Sequence, residues 1–427
     1  MTPKHPQLAV FLATTASLIL ACAGAGIVAF PWALSASGLP AFLLLGALVL
    51  CACCLGMHVL SHRTLGSDAW SYESLLLHEF GPRTSRVATL AIVLQQIGSM
   101  VGFLVAIADF GAAFGVPSVP LLVGLGALVL WPLSLLSSLQ SLWLPSALSI
   151  AAVCAVAGVI VARAARLDTP DSHCPAGAAG TVAPLDLGHW PSDTGQLLEA
   201  LPILIFGFNA HLQTPVAAAE ARHTPRVMRA AIPVALAVCA ALYAATAIAG
   251  VACYGKSLKS DVLTNLGEDA SSGRDALAAF AGGAMALHLV LAYPILLYPL
   301  LLSTAALLGA PPPPSATGSS AVAALPLLES APERRRARLL AAARSAAVVA
   351  TTVVIALAAG HRLNVVFSAI GGTVGSALVC WFPAALIAAD GAACSWRRAG
   401  RLLVATGLSA LGVVAFGGTV VTLVPSL

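Results

Sequence analysis

Leu18-Ile19-Leu20-Ala21-Cys22-Ala23-Gly24-Ala25-Gly26-Ile27-Val28-Ala29-Phe30-Pro31 lies inside an apolar stretch that runs from about residue 8 to 34. Crossing a hydrocarbon core of about 30 Å takes about 20 apolar residues, and this stretch is long enough. Its middle, however, holds Gly24, Ala25 and Gly26, with Pro31 about one turn later. In a bilayer an unpaired backbone N–H or C=O costs several kcal/mol, so a spanning helix opens only where protein or a wet cavity satisfies it. A small-residue opening at that depth predicts a binding site.

The chain around it is 59% hydrophobic and only 9% charged over 427 residues, against about 25% charged in an ordinary soluble domain. An all-α polytopic membrane protein is expected, with the lipid bilayer as its surroundings and no nucleic acid partner. Eleven stretches are candidate transmembrane helices, near residues 8–34, 39–61, 86–112, 117–138, 142–164, 195–219, 227–253, 275–308, 339–359, 363–389 and 401–424. No signal-peptide cleavage pattern follows the first, which reads as a retained span. The expected organisation is a cytoplasmic amino-terminal tail (1–7) and one eleven-span domain (8–427). That domain includes a Pro- and Gly-rich outer loop (165–194) and a Pro/Ala-rich cytoplasmic linker (310–338) that ends in the basic run Arg334–Arg338.

Lys and Arg collect in cytoplasmic loops. Placing the amino terminus inside puts Lys4, Arg63, Arg83, Arg86, Arg222, Arg226, Arg229, Arg344, Arg397, Arg398, Arg401 and the four arginines of the linker on that side. Only Arg163, Arg166, Lys256, Lys259, Arg274 and Arg362 then face out. Most of the ten cysteines fall within spans as small apolar packing residues, and no metal-ligand spacing occurs. Cys174 and Cys253 are expected on the outer side, where a disulfide is chemically permitted, although spacing does not fix a pairing.

A second interruption falls at Phe206-Gly207-Phe208-Asn209-Ala210-His211, with Pro215 beyond it. If spans one to five and six to ten are two repeats, the two broken spans correspond, and such a pair points to a midplane site.

The residues Gly24-Ala25-Gly26-Ile27 through Phe30-Pro31-Trp32-Ala33, followed by Ser37-Gly38, resemble the first-span signature of the amino acid/auxin permease superfamily. Ser71-Tyr72-Glu73, Leu94 to Ser99, Trp131 to Leu136, Tyr254-Gly255, Tyr293-Pro294 and Phe367 to Pro383 follow in order. Together they are most similar to the sodium-coupled neutral amino acid transporter family. The resemblance implies eleven spans in a LeuT-like 5+5 inverted repeat with helices 1 and 6 broken, and ion-coupled transport of neutral amino acids by alternating access. An amino acid sensor built on a transporter fold is the alternative.

Each half-helix amino end carries about half a positive charge, and its free N–H groups suit a carboxylate. The substrate carboxylate is therefore expected at Gly24, Ala25, Gly26 and Ile27. Phe206, Asn209 and Ala210 are expected to receive the ammonium and side chain. Gln96 and Ser99 are candidates to line the cavity. The asparagine that sodium-coupled members carry shortly before the Gly-x-Gly is absent from Ser17 to Cys22, and Leu289 to Tyr293 lacks their threonine. Co-transported Na+ and H+ both remain open. His288 and His211 are the candidate proton carriers, since histidine titrates nearest physiological pH. No cofactor is expected, and the motifs of membrane enzymes are missing. An integral protein of the plasma membrane or of a vacuolar or lysosomal membrane is the expected setting.

Overall fold

The computed structural model describes residues 6–24, 26–135, 143–165, 185, 190–191, 194–222, 224, 226–271, 275–307, 331–389 and 395–424. Ala25, Cys174, most of the expected loop 165–194 and residues 310–330 of the expected linker lie outside these. Among the described residues every regular element is helical.

The chain opens with α1 (Pro6–Cys22) and α2 (Gly26–Ser37), which form one apolar run bent by 58°. α3 (Leu39–Leu65) returns across the bundle, and α4 (Tyr72–Phe80) is a short helix at its end. A reciprocal cap starts α4: Ser74 N donates to Ser71 Oγ at 3.2 Å and Ser71 N to Ser74 Oγ at 2.9 Å. Gly81, at φ 84°, stops it with a backbone turn that a side chain would strain, and Pro82 begins α5 (Pro82–Ala113). α6 (Ser118–Leu125), a π-helical turn at Gly126–Leu130 and α7 (Trp131–Ser134) run on as one rod, and α8 (Trp143–Ala164) completes the first half.

The second half opens with a second break, between α9 (Thr194–Gly207) and α10 (Gln213–Glu220). It continues through α11 (Arg226–Tyr254), α12 (Val262–Ser271), α13 (Ala276–Leu307) and α14 (Ala331–Ala359). α15 (Leu363–Ile370) leads through π-helical turns at Gly371–Gly375 and Ala377–Trp381 into α16 (Phe382–Ala388), and α17 (Ser395–Leu423) is last. Residues 331–338, expected as the end of a linker, thus belong to α14.

Seven of the described helices are long and apolar enough to cross a membrane, or eight with the bent α1–α2 pair counted as one span. The expected fourth, fifth and sixth spans are the shorter apolar helices Ser118–Ser134, Leu148–Ala164 and Thr194–Gly207. Eight of the eleven expected crossings therefore stand on length. The sixth falls short because α9 is only half of a broken span.

Side-chain bonds tie the helix ends on each face. On the face where the chain begins, Arg63 Nη2 donates to Leu386 O at 3.0 Å and Arg222 Nη2 to Ala69 O at 2.9 Å. On the far face, buried Arg163 pairs with Asp269 at 2.7 Å and Asp275 at 3.0 Å, joining α8, α12 and the start of α13.

Glycines let α9 sink into the bundle. Pro202 has no N–H, so the Leu198 carbonyl loses its helical donor. A Cβ on Gly418 of α17 would stand 2.0 Å from that carbonyl oxygen, and one on Gly371 would stand 1.9 Å from Pro202 O. Neither contact is with a side chain that can swing aside. Gly371→Ala or Gly418→Ala is expected to cost about 1–3 kcal/mol through forced backbone shifts. The check is the melting temperature of purified protein in detergent. Gly417→Ala, which meets nothing within 4 Å, should melt like the wild type.

Candidate substrate site

The two interruptions lie side by side. At the first, Gly24 N donates to Cys22 O at 2.7 Å and Ile27 N to Gly24 O at 3.5 Å, a tight turn followed by one long bond at the opening of α2. At the second, Asn209 N donates to Phe206 O at 3.3 Å, Ala210 N to Phe208 O at 3.1 Å, and both Gln213 N and Thr214 N to Ala210 O at 3.2 Å. A Cβ on Gly26 would come within 3.0 Å of Gly207 Cα, so the backbones touch where each helix is open.

Bonds across the joint are made by α11 and by the broken helices themselves. The Tyr243 hydroxyl lies 2.5 Å from Cys22 O and 3.0 Å from Gly207 O, the terminal carbonyls of α1 and α9. Cys22 Sγ donates to Phe208 O at 3.8 Å, and Cys239 Sγ to Ile19 O at 3.9 Å. Below the joint Gln213 Nε2 donates to Ser17 Oγ at 3.1 Å. Phe30 packs on Tyr243 at 4.4 Å between ring centroids and meets Phe208 edge-on at 5.8 Å. Each such aromatic pair is worth about 0.5–1.5 kcal/mol beyond the area it buries.

The residues expected to bind substrate are gathered here. Gly26, Ile27 and Ala210 are buried, whereas Gly24, Phe206 and Asn209 keep partial exposure. The two glycines differ in role. Gly26 faces the Gly207 backbone and holds the helices together, while the Gly24 Cβ position meets only Phe103 of α5, at 4.0 Å. Gly24 is therefore the one with room for a guest. Phe206 stacks on Phe367 of α15 at 4.2 Å and 17°. Asn209 Oδ1 accepts from His211 N at 3.3 Å, so its side chain also shapes the turn.

Of the expected cavity-lining pair, Ser99 donates to Gln95 O at 2.9 Å and Gln96 reaches Leu296 O at 3.5 Å, and both side chains are buried. His211 is fully buried beside Gly56, where a Cβ would meet its Nε2 at 2.7 Å. His288 is buried in α13. Neither ring has a hydrogen-bond partner among the described residues. No group of three or more metal-ligating side chains occurs among those residues. Tyr243 and Phe103 were not among the residues singled out from sequence. The available signal was a single hydroxyl-bearing ring in the alanine-rich run Ala240–Ala247.

The far face holds a second polar cluster. Asp109, near the end of α5, is buried, because α12 and the α14–α15 turn close over it. Its carboxyl contacts His361 Nδ1 and lies close to the buried Asp261 carboxyl, which caps α12 by accepting from Thr264 N at 2.9 Å. Cys253, nearby at the end of α11, is disulfide-bonded.

A bundle whose first and sixth helical units open side by side, held by a scaffold of antiparallel helices, is the architecture of LeuT-like transporters. Over its whole length the chain superposes on the manganese transporter of Eremococcus coleocola, with a TM-score of 0.64, 13% identity and 90% of that chain covered. It superposes on MhsT in complex with L-phenylalanine with a TM-score of 0.53, 14% identity and 99% of each chain covered.

The model of the transmembrane amino acid transporter protein family matches residues 9–420, and the chain belongs to that family. Its members are transporters rather than enzymes. Sodium-coupled neutral amino acid transporter 7 of Xenopus laevis is 24% identical over 310 residues, 69% of this chain and 64% of that protein. Amino acid transporter AVT6C of Arabidopsis thaliana is 24% identical over 300 residues, 65% of this chain and 67% of that protein. The chain thus matches somewhat under two thirds of the length of the Xenopus relative.

Burial raises the Asp261 carboxyl well above the usual carboxylate range, and the Asp109 charge beside it adds to the rise. A raised acid favours its neutral form in the folded state. The contribution of Asp261 to the docking of α12 is then fully present below the unfolded value of about 3.9 and is lost as pH climbs through the raised one. Hydrogen-exchange protection across residues 262–271, taken relative to the intrinsic base-catalysed rate at each pH, should fall from acid to alkaline buffer. Asp261→Asn, neutral at every pH, should flatten that dependence.

Proposed function

We propose that the protein is a secondary active transporter that carries neutral amino acids across a membrane by alternating access, driven by a co-transported cation. The observation that supports this reading is the pair of breaks lying back to back. They bring the amino end of α2, with its positive dipole, next to a turn rich in carbonyls and an amide. An amino acid backbone has the matching charges, a carboxylate for the amino end of α2 and an ammonium for the Phe206–Ala210 turn.

Gly24 leaves the carboxylate a path to the backbone. The substrate side chain extends toward Phe103, Phe206 and Phe367. Three apolar rings and, among the described residues, no charged group line that direction, which favours a neutral side chain over a charged one. The names of the relatives, a sodium-coupled neutral amino acid transporter and a plant amino acid transporter, agree with this assignment. The face carrying Arg63, Arg222, Arg226, Arg229 and Arg401 is the cytoplasmic one by the positive-inside rule, which places the amino terminus inside. The membrane is the plasma membrane or that of a vacuole or lysosome.

Uptake of a panel of labelled amino acids into proteoliposomes, with sodium and proton gradients imposed separately, tests the reading. Neutral amino acids should accumulate and acidic or basic ones should not. Gly24→Val should reduce uptake at least tenfold while the protein melts as the wild type does, because its branched side chain fills the approach to the amino end of α2. Full uptake by that variant would remove the carboxylate from this position.

A further inference from the structure

The terminal carbonyls of two half-helices converge on a single point in the bundle. Cys22 O closes α1 and Gly207 O closes α9, and each helix end carries about half a negative charge. In transporters with discontinuous helices, such carbonyl ends coordinate the coupling cation. Here that point is occupied. The Tyr243 hydroxyl sits 2.5 Å from one carbonyl oxygen and 3.0 Å from the other, too close to both for a metal ion to lie between them.

The ring is held in place from several sides. Tyr243 is 1% exposed, and Phe30 and Phe208 pack against it at 4.4 and 5.2 Å between centroids. The other bonds across the joint have the same sense, with a thiol donating to a carbonyl: Cys22 to Phe208 O and Cys239 to Ile19 O. Neither Thr14–Gly26 nor Leu204–Gln213 contains an Asp or Glu. A sodium ion there would find carbonyls already engaged and no carboxylate to balance its charge. The phenolic proton supplies the positive end that the two helix termini need.

We propose that the Tyr243 hydroxyl stands in for a coupling cation at the joint of the broken helices, making Tyr243 a positioning residue and transport sodium-independent. This rests on the transport reading above and deepens it. Removing the hydroxyl leaves two inward-facing carbonyls and a gap of one oxygen atom between them, a place for a small monovalent cation.

The experiment compares wild type and Tyr243→Phe for uptake of neutral amino acids in proteoliposomes, with external sodium, lithium or N-methylglucamine, alongside saturable 22Na+ binding to the purified proteins. The wild type is expected to transport equally in all three media and to bind no sodium saturably. Tyr243→Phe is expected to lose at least tenfold in N-methylglucamine and to recover part of that loss, saturably, in sodium or lithium.

Sodium-dependent uptake or saturable sodium binding by the wild type would overturn the proposal, and both are measurable even if the variant does not fold. Wild-type rates in Tyr243→Phe without sodium, or an equal loss in every medium, would also overturn it. A wild type that moves no amino acid under any gradient refutes the transport reading instead, and the sodium-binding arm still decides the role of Tyr243.

Discussion

An unpaired peptide group in hydrocarbon is too costly to leave alone, and the arrangement of this bundle follows from that constraint. A chain that opens two of its helices within the membrane must bring other groups to the exposed ends. The openings therefore sit against each other, and the helix ends answer one another through Cys22 and Phe208. Tyr243 satisfies the carbonyl ends of both. The amino end of α2, where Ile27 N reaches Gly24 O over a long 3.5 Å, brings a positive dipole to the joint, and that asymmetry makes the joint a site rather than a flaw in the packing.

Close approach is the other half of the design. Gly26 lies against Gly207, Gly418 against the Leu198 carbonyl that Pro202 leaves without its helical donor, and Gly371 against the carbonyl of Pro202 itself. Without a strong hydrophobic drive between helices in lipid, contact of this kind supplies the packing energy. It also confines α9 to a narrow range of positions. The same elements that stabilise the bundle therefore set the geometry of the substrate turn, and a methyl group at any of these glycines changes both.

Much of this was legible in the residues. Composition and the length of the apolar stretches gave a polytopic helical protein, and the small-residue gaps at Gly24–Gly26 and Phe206–His211 located both breaks, because a backbone interruption is a local property of the chain. The partners of those breaks were not legible. Tyr243 lies far along the sequence in a run of alanines, and its role exists only once α11 is laid across both openings. Asp109 shows the same limit. A carboxylate near a helix end reads as solvated until α12 and the α14–α15 turn are seen to close over it.

The distinction between Gly24 and Gly26 follows from the same tertiary information. In the sequence they are two equivalent glycines of one motif, each able to let a ligand reach the backbone. In the fold the Gly26 Cβ position points at the neighbouring helix and that of Gly24 at a phenylalanine ring 4.0 Å away. One glycine serves assembly and the other access. A motif read only as a pattern merges two separate physical demands, close packing at Gly26 and an open path at Gly24.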